Sequence, residues 1–177
     1  MGLSIGIMAD SLASTFWVHR DDLLQEGAAI PAYCDGAYRE PKLFLAEDGR
    51  LIGGQIRARA DSVVYREQGD SLLTGNVRLV EGGRRIHTEL AILDRDANRV
   101  SIPNGATFFE PGMVIEAARG EMILSEDRAV MEGAEFVLFE PEIRGHADRI
   151  ERIGNKLVLE GTSLTRCQPG GGAWRFR

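Results

Sequence analysis

Ile86-His-Thr-Glu-Leu-Ala-Ile92 sets Ile86, Thr88, Leu90 and Ile92 on one side of an extended chain and His87, Glu89 and Ala91 on the other. A period of two marks a β-strand with one buried face, because successive side chains leave the backbone in opposite directions. The neighbouring text keeps this character. β-Favouring runs recur at Ser62-Val-Val-Tyr65, Asn76-Val-Arg-Leu-Val80, Val100-Ser-Ile102, Phe136-Val-Leu-Phe139 and Lys156-Leu-Val-Leu159. Turn signals come every 13 to 16 residues: Gly69-Asp70, Gly82-Gly83, Asp96-Ala-Asn98, Pro111-Gly112, Glu126-Asp127, Pro141-Glu142, Gly154-Asn155 and Gly170-Gly171. Short runs of branched and aromatic residues between regular turns predict an all-β fold of antiparallel strands.

A longer period overlies the first. Gly105, Gly133 and Gly161 stand 28 residues apart, and Gly75 precedes Gly105 by 30. Each belongs to an extended run, where glycine marks a bend or a bulge. Bends at matched positions would fold every long strand over, predicting a twisted, V-shaped β-jellyroll of stacked units rather than a flat sheet. The expected inward side chains are Val63, Tyr65, Val77, Leu79 and Ile86 in the first part of the stack, then Leu90, Ile92, Val100 and Ile102. Met122, Leu124, Phe136, Leu138, Leu157 and Leu159 continue the series. Parity at Val137 and Phe139 stays ambiguous, since that run is apolar on both faces. Singly, such residues are ordinary core. Together they can line an apolar groove in which each buried methylene of an acyl chain gains ~0.8 kcal/mol.

Composition narrows the function classes. The chain has 177 residues, 44% hydrophobic and 27% charged, enough for one globular domain with a core. Its net charge is −6 and its longest basic run is Arg84-Arg85, so nucleic acid is not an expected partner. The same charge implies that an anionic lipid would be held by its tails rather than its phosphates. No stretch approaches the ~18 apolar residues of a spanning helix. Met1–Ala9 lacks a basic segment before its apolar part and does not read as a working signal peptide. Residues 1–57 read as an N-terminal arm with a short helix around His19–Gln25, residues 58–166 as the jellyroll, and residues 167–177 as the start of a linker.

Motifs for catalysis are missing: there is no Gly-x-Ser-x-Gly, no His-x-x-x-His and no phosphate-cradling glycine loop, and no enzyme activity or cofactor is expected. Asp94-Arg-Asp-Ala-Asn98 begins like a calcium loop but has Arg99 at the sixth position and Gly105 at the twelfth, so it reads as a hairpin turn. Cys34 and Cys167 lie 133 positions apart and near none of the three histidines, which argues against a metal site. By spacing alone they are either two unrelated thiols or cysteines of an exported chain that enter disulfides.

Three segments resemble the N-terminal domain of the LPS-assembly protein (LptD) family. Ile30-Pro-Ala-Tyr-Cys-Asp-Gly-Ala-Tyr-Arg-Glu-Pro41 is similar to its cysteine-bearing segment. Thr74-Gly-Asn-Val-Arg-Leu79 and the repeats after it resemble the OstA-like repeat, and Gly161-Thr-Ser-Leu-Thr-Arg-Cys-Gln-Pro-Gly-Gly-Gly-Ala-Trp174 resembles the signature between domain and barrel. The resemblance runs from about Trp17 to Arg177. It implies a β-jellyroll at the periplasmic face of the Gram-negative outer membrane. Such a domain receives lipopolysaccharide (LPS) from an LptA-like bridge protein by edge-strand pairing and carries lipid A tails in its interior. In the family it precedes a large barrel plugged by the lipoprotein LptE. By position, Cys34 and Cys167 match cysteines that form disulfides to a pair in that barrel. Neither the barrel nor its pair is in this sequence, which leaves Cys34 and Cys167 as thiols, as a mutual pair, or as a bridge between chains. The expected docking edge is Ile56–Tyr65. A free-standing LptA- or LptC-like carrier is the alternative, disfavoured by the two flanking cysteines. A β-solenoid carbohydrate enzyme would need clustered carboxylates, and here they are dispersed.

Overall fold

The hairpin turns come first, because they set the order of everything else. At Asp94–Asn98 the Ala97 amide donates to Asp94 Oδ1 at 2.9 Å and Asn98 takes φ +48°, so the calcium-like stretch is a turn held by its own side chain. Asp127 and Gly154 reverse the chain in the same left-handed conformation. A computed structural model describes residues 11–27, 35–41, 56–81 and 83–170. Its N-terminal part comprises α1 (Ser11–Phe16), β1 (Trp17–His19), α2 (Arg20–Gln25) and β2 (Gly36–Tyr38), with β1 paired to β2. The helix expected around His19–Gln25 is α2.

One eleven-stranded antiparallel sheet makes up the rest: β3 (Ile56–Arg59), β4 (Ser62–Val64), β5 (Ser71–Glu81), β6 (Arg84–Asp94), β7 (Arg99–Ile102), β8 (Ala106–Glu110), β9 (Met113–Ile123), β10 (Arg128–Leu138), β11 (Ile143–Ile153), β12 (Lys156–Glu160) and β13 (Ser163–Thr165). β3 and β4 both pair with β5, β7 and β8 both lie between β6 and β9, and β12 and β13 both pair with β11. The sheet is therefore a simple meander of long strand paths, some continuous and some broken in the middle.

All four periodic glycines take positive φ: +74° at Gly75, +86° at Gly105, +59° at Gly133 and +58° at Gly161. They form a line of bends across the sheet. At Gly161 a Cβ would meet Asp148 Oδ2 at 2.0 Å, and at Gly133 it would meet Ala118 Cβ at 3.3 Å. The contact between Phe108 and Gly120 reveals how far the sheet folds. Phe108 stands opposite Ile115, and in a straight β9 Gly120 would be ~17 Å further along. Yet a Cβ at Gly120 would lie 2.7 Å from Phe108 Cζ. The strands are bent over, and the halves on either side of the bends form the two arms of a V. The first arm holds β8, β13 and residues 77–81 of β5, 84–88 of β6, 113–117 of β9, 134–138 of β10 and 143–147 of β11. The second arm holds β7, β12 and the other halves of the same strands.

Crossing the bend changes which residues point inward. Ile115 and Ala117 face in from β9 on the first arm, Met122 on the second; for β10 the change is from Phe136 and Ala134 to Met131. In β6 this corrects the expected alternation. Ile86 and Thr88 face in, but beyond the bend the buried residue is Ala91, with Leu93 packed on the core, while Leu90 and Ile92 are half-buried outside that cluster. The cause is the bend itself, since β9 and β10 make the same exchange while their mutual register runs unbroken. β5 is the exception: an extra residue between Thr74 and Val77 shifts its register against β6 by one and keeps Leu73 inward together with Val77 and Leu79. The Thr88 hydroxyl supports the change by donating to the Gly105 carbonyl at 2.7 Å and accepting the Leu90 amide at 3.3 Å.

Val63 and Tyr65, also expected inward, lie on the surface at 56% and 60% exposure. β4 is a short strand at the sheet's edge, and the Arg95 guanidinium sits 4.1 Å from the Tyr65 ring centroid while donating to its hydroxyl at 2.8 Å. Val137 and Phe139 belong to a separate cluster with Val114, Leu12, Ala13, Phe16 and Tyr38. α1 thus covers the outer face of the first arm, with the Phe16 and Phe139 rings edge-on at 5.4 Å.

Gly133→Ala should cost about 1–2 kcal/mol through its left-handed backbone, read as a lowered urea midpoint. Phe16→Ala, which removes the buried ring joining α1 to the sheet, should cost about 3 kcal/mol, with protease cleavage between residues 11 and 27 as its first sign.

Candidate functional site

Between the arms lies an apolar slot. Nearest the bends runs a row of small residues, Ala106, Ala117, Ala134 and Ala147, each opposite the next across neighbouring strands. All four are buried, and their size lets the two arms converge. Further out the first arm carries Leu79, Ile86, Phe108, Ile115 and Phe136 in one cross-strand row. The second arm answers with Val100, Met122 and Ala129 in one row and Ile102, Met131 and Ile150 in another. Toward the tips the walls leave a narrow cleft of about 60 Å³, lined by Ile86, Phe108, Ile115, Met122, Leu124 and Met131 among others. A smaller crevice of about 10 Å³ adjoins it, sharing Ile86 and Met122 and adding Ile56, Leu79 and Val100.

The residues expected to line the groove divide into distinct groups. Leu79, Ile86, Met122 and Leu124 line the open clefts. Val77, Ile102 and Phe136 are sealed in the core. Leu138, Leu157 and Leu159 are half-buried against the cluster around Phe136. Leu90, Ile92, Val63 and Tyr65 stand apart, for the reasons given above. The wall residues that were missed include Phe108, Ile115, Met131 and Ile150. A signal existed for Phe108, which precedes Phe136 by 28 residues and occupies the same place in the repeat.

Charged side chains meet at the mouth of the slot. From the first arm, Arg84 Nε donates to Glu110 Oε1 at 3.1 Å; from the second, Arg152 Nη1 donates to Asp127 Oδ1 at 3.0 Å. Two further bonds cross between the arms: Arg84 Nη1 to Asp127 Oδ1 at 2.5 Å, and Arg152 Nε to Glu110 Oε2 at 3.2 Å. Burial alone would lower the Arg84 pKa, but its hydrogen bonds to Asp127 and Glu110, together with their charges, outweigh that and hold it above the ordinary value. The outer face of the second arm carries a different kind of charge: a cross-strand ladder in which Arg119 pairs with Glu132, and Arg128 with Glu151 at 2.6 Å. Exposed pairs of this sort contribute about 0–1 kcal/mol each.

Cys34 lies outside the described residues. Cys167 is half-buried, and its carbonyl accepts bonds from the Tyr38 hydroxyl at 3.0 Å and from Arg144 Nε at 3.1 Å. The segment after β13 is thereby tied to β2 of the N-terminal arm. Among the described residues no group of three or more His, Cys, Asp or Glu side chains is placed to hold a metal ion.

No family model matches the chain. Curated relatives do. It is 32% identical over 150 residues to an LPS-assembly protein LptD of Saccharophagus degradans, covering 84% of this chain and 17% of that protein. An LptD of Alcanivorax borkumensis is 27% identical over 169 residues, covering 89% of this chain and 21% of the relative. That of Pseudomonas savastanoi pv. phaseolicola is 27% identical over 165 residues, with 91% and 18% covered. The chain thus spans about a fifth or less of the length of these relatives. Among solved structures, LptH of Pseudomonas aeruginosa, described as the LptA-homologous periplasmic component of a lipopolysaccharide transport device, superposes with a TM-score of 0.52 at 15% identity. That match covers 59% of this chain and 81% of LptH, and it establishes the jellyroll fold. Kinship along most of the sequence and an LptA-type jellyroll identify this chain as an OstA-like domain of the LptD family of LPS-assembly proteins.

Proposed function

We propose that this domain takes part in lipopolysaccharide transport and outer-membrane assembly, holding lipid A acyl chains in the slot between its arms. The observation that carries the reading is an open-sided apolar slot in an LptA-type fold, on a chain of the LptD family. The chemistry suits tails better than headgroups. The walls at the wider end are aliphatic, aromatic and methionine side chains, each buried methylene of a guest gains ~0.8 kcal/mol, and the arginines at the mouth are already engaged by carboxylates. The domain stands at the periplasmic face of the outer membrane, ahead of the barrel and its LptE plug, with Cys34 and Cys167 available for disulfides to the barrel.

The sheet ends suit a chain of like domains. Among the described residues β3 and β4 form one edge and β12 and β13 the other, and an edge strand can receive a further strand. Ile56–Tyr65 is the edge that meets the LptA-like bridge protein; Val63 and Val64 are exposed along it.

A photo-crosslinking residue at Met122 or Leu124 in the full-length protein should capture LPS in cells, and one at Arg78 or Arg95, on outward or turn positions, should capture little. Equal labelling at both sets would remove the slot from the pathway. Val64→Pro, which deletes an outward-facing edge amide, should weaken binding of an LptA-type protein at least about ten-fold while leaving the fold intact; undiminished binding would move the docking surface elsewhere.

A further inference from the structure

The four charges at the mouth do more than solvate the rim. Arg84 opens β6 and Glu110 closes β8, both at the tip of the first arm and on the same face as Ile86 and Phe108. Asp127 follows β9 and Arg152 closes the inward row of β11, both at the tip of the second arm. Each guanidinium binds one carboxylate on each arm, so the cluster is a closed ring of four bonds with two spanning the slot. Arg152 is 8% exposed although it carries a full charge, and it reaches that position along an otherwise apolar inner face.

From this geometry we propose that Arg84, Glu110, Asp127 and Arg152 form an ionic latch that holds the two arms together, and that the slot widens for an acyl chain when the latch parts. The proposal rests on the reading of the slot as the acyl-chain site. With Glu81 also 3.6 Å from Arg84, three carboxylates face two guanidiniums, so the cluster offers a free anion no vacant positive charge. Its work is mechanical. It closes the wider cleft from outside while Phe108, resting on Gly120, already bridges the walls within. A multi-chain amphiphile therefore needs the arms to part, and the bonds opposing that motion are the two that cross the slot. Asp127 is the hub of the second arm, accepting from both arginines with the same oxygen. It is also half-exposed and left-handed at φ +47°, a conformation that asparagine tolerates well.

Asp127→Asn therefore removes the latch charge while sparing the turn. With the 177-residue chain, N-phenyl-1-naphthylamine fluorescence reports occupancy of the slot, and amide hydrogen exchange reports opening without any ligand. The variant should bind the dye about five-fold more tightly, as expected if a minor open state becomes common. Its amides at residues 84–86 and 122–124 should exchange about ten-fold faster, with protection elsewhere retained. Glu110→Gln should act in the same direction, and about 1 M salt should move the wild type toward both variants. Arg119→Gln, which breaks an ion pair on the outer face, should leave dye and exchange alone. Unchanged exchange at the lips in both Asp127→Asn and Glu110→Gln overturns the latch, however the dye behaves. Faster exchange with no dye bound by any form leaves the latch standing and overturns the acyl-chain reading instead.

Discussion

L-amino acids resist positive φ, and this sheet adopts it at one level in alternate strand paths. A strand that continues straight keeps one set of side chains on each face. Where β5, the β7–β8 path, β10 and the β12–β13 path fold over, they turn through a conformation in which a Cβ collides with the backbone or with a neighbour, and β6, β9 and β11 bend between them without it. Gly75, Gly105, Gly133 and Gly161 carry that conformation at matched levels. Because they align, five-residue half-strands on either side face one another instead of continuing a plane. The slot, the row of alanines at its base and the charge ring at its mouth all follow from that alignment.

This constraint also explains what the sequence disclosed and what it withheld. The bends were legible because only glycine serves there and the spacing of 28 repeats. The strands were legible because their runs are branched, aromatic and bounded by turns. Which side faced inward was harder. Leu90 and Ile92 have impeccable alternation with Ile86, but β6 bends over between Thr88 and Leu90 with no glycine to mark the place, and Ala91 takes the core position instead. No local pattern within β6 carries that information. Val63 and Tyr65 show the same limit from another direction: their strand has a suitable pattern but lies at an edge, and burial depends on what covers a strand rather than on its own period.

The candidate site was legible only in part for a related reason. Its apolar walls repeat, and Phe108 and Phe136 could be matched by spacing alone. The charge ring has no such period. Arg84 and Asp127 are 43 residues apart, and Arg152 and Glu110 are 42, so their meeting is a property of the folded-over sheet. In the sequence Asp127 is a turn residue, Glu110 precedes a proline, and Arg84 is half of a basic dipeptide.

The two arms are not equivalent supports. The first has α1 pressed on its back through Phe16, Val114, Val137 and Phe139, and so is a thick, two-layered wall. The outer side of the second bears mainly solvated ion pairs across a single layer of strands. When the V spreads, bending concentrates where the material is thinnest. The helical brace therefore makes one arm the anvil and the other the spring, and gives a symmetric-looking fold a preferred direction of movement.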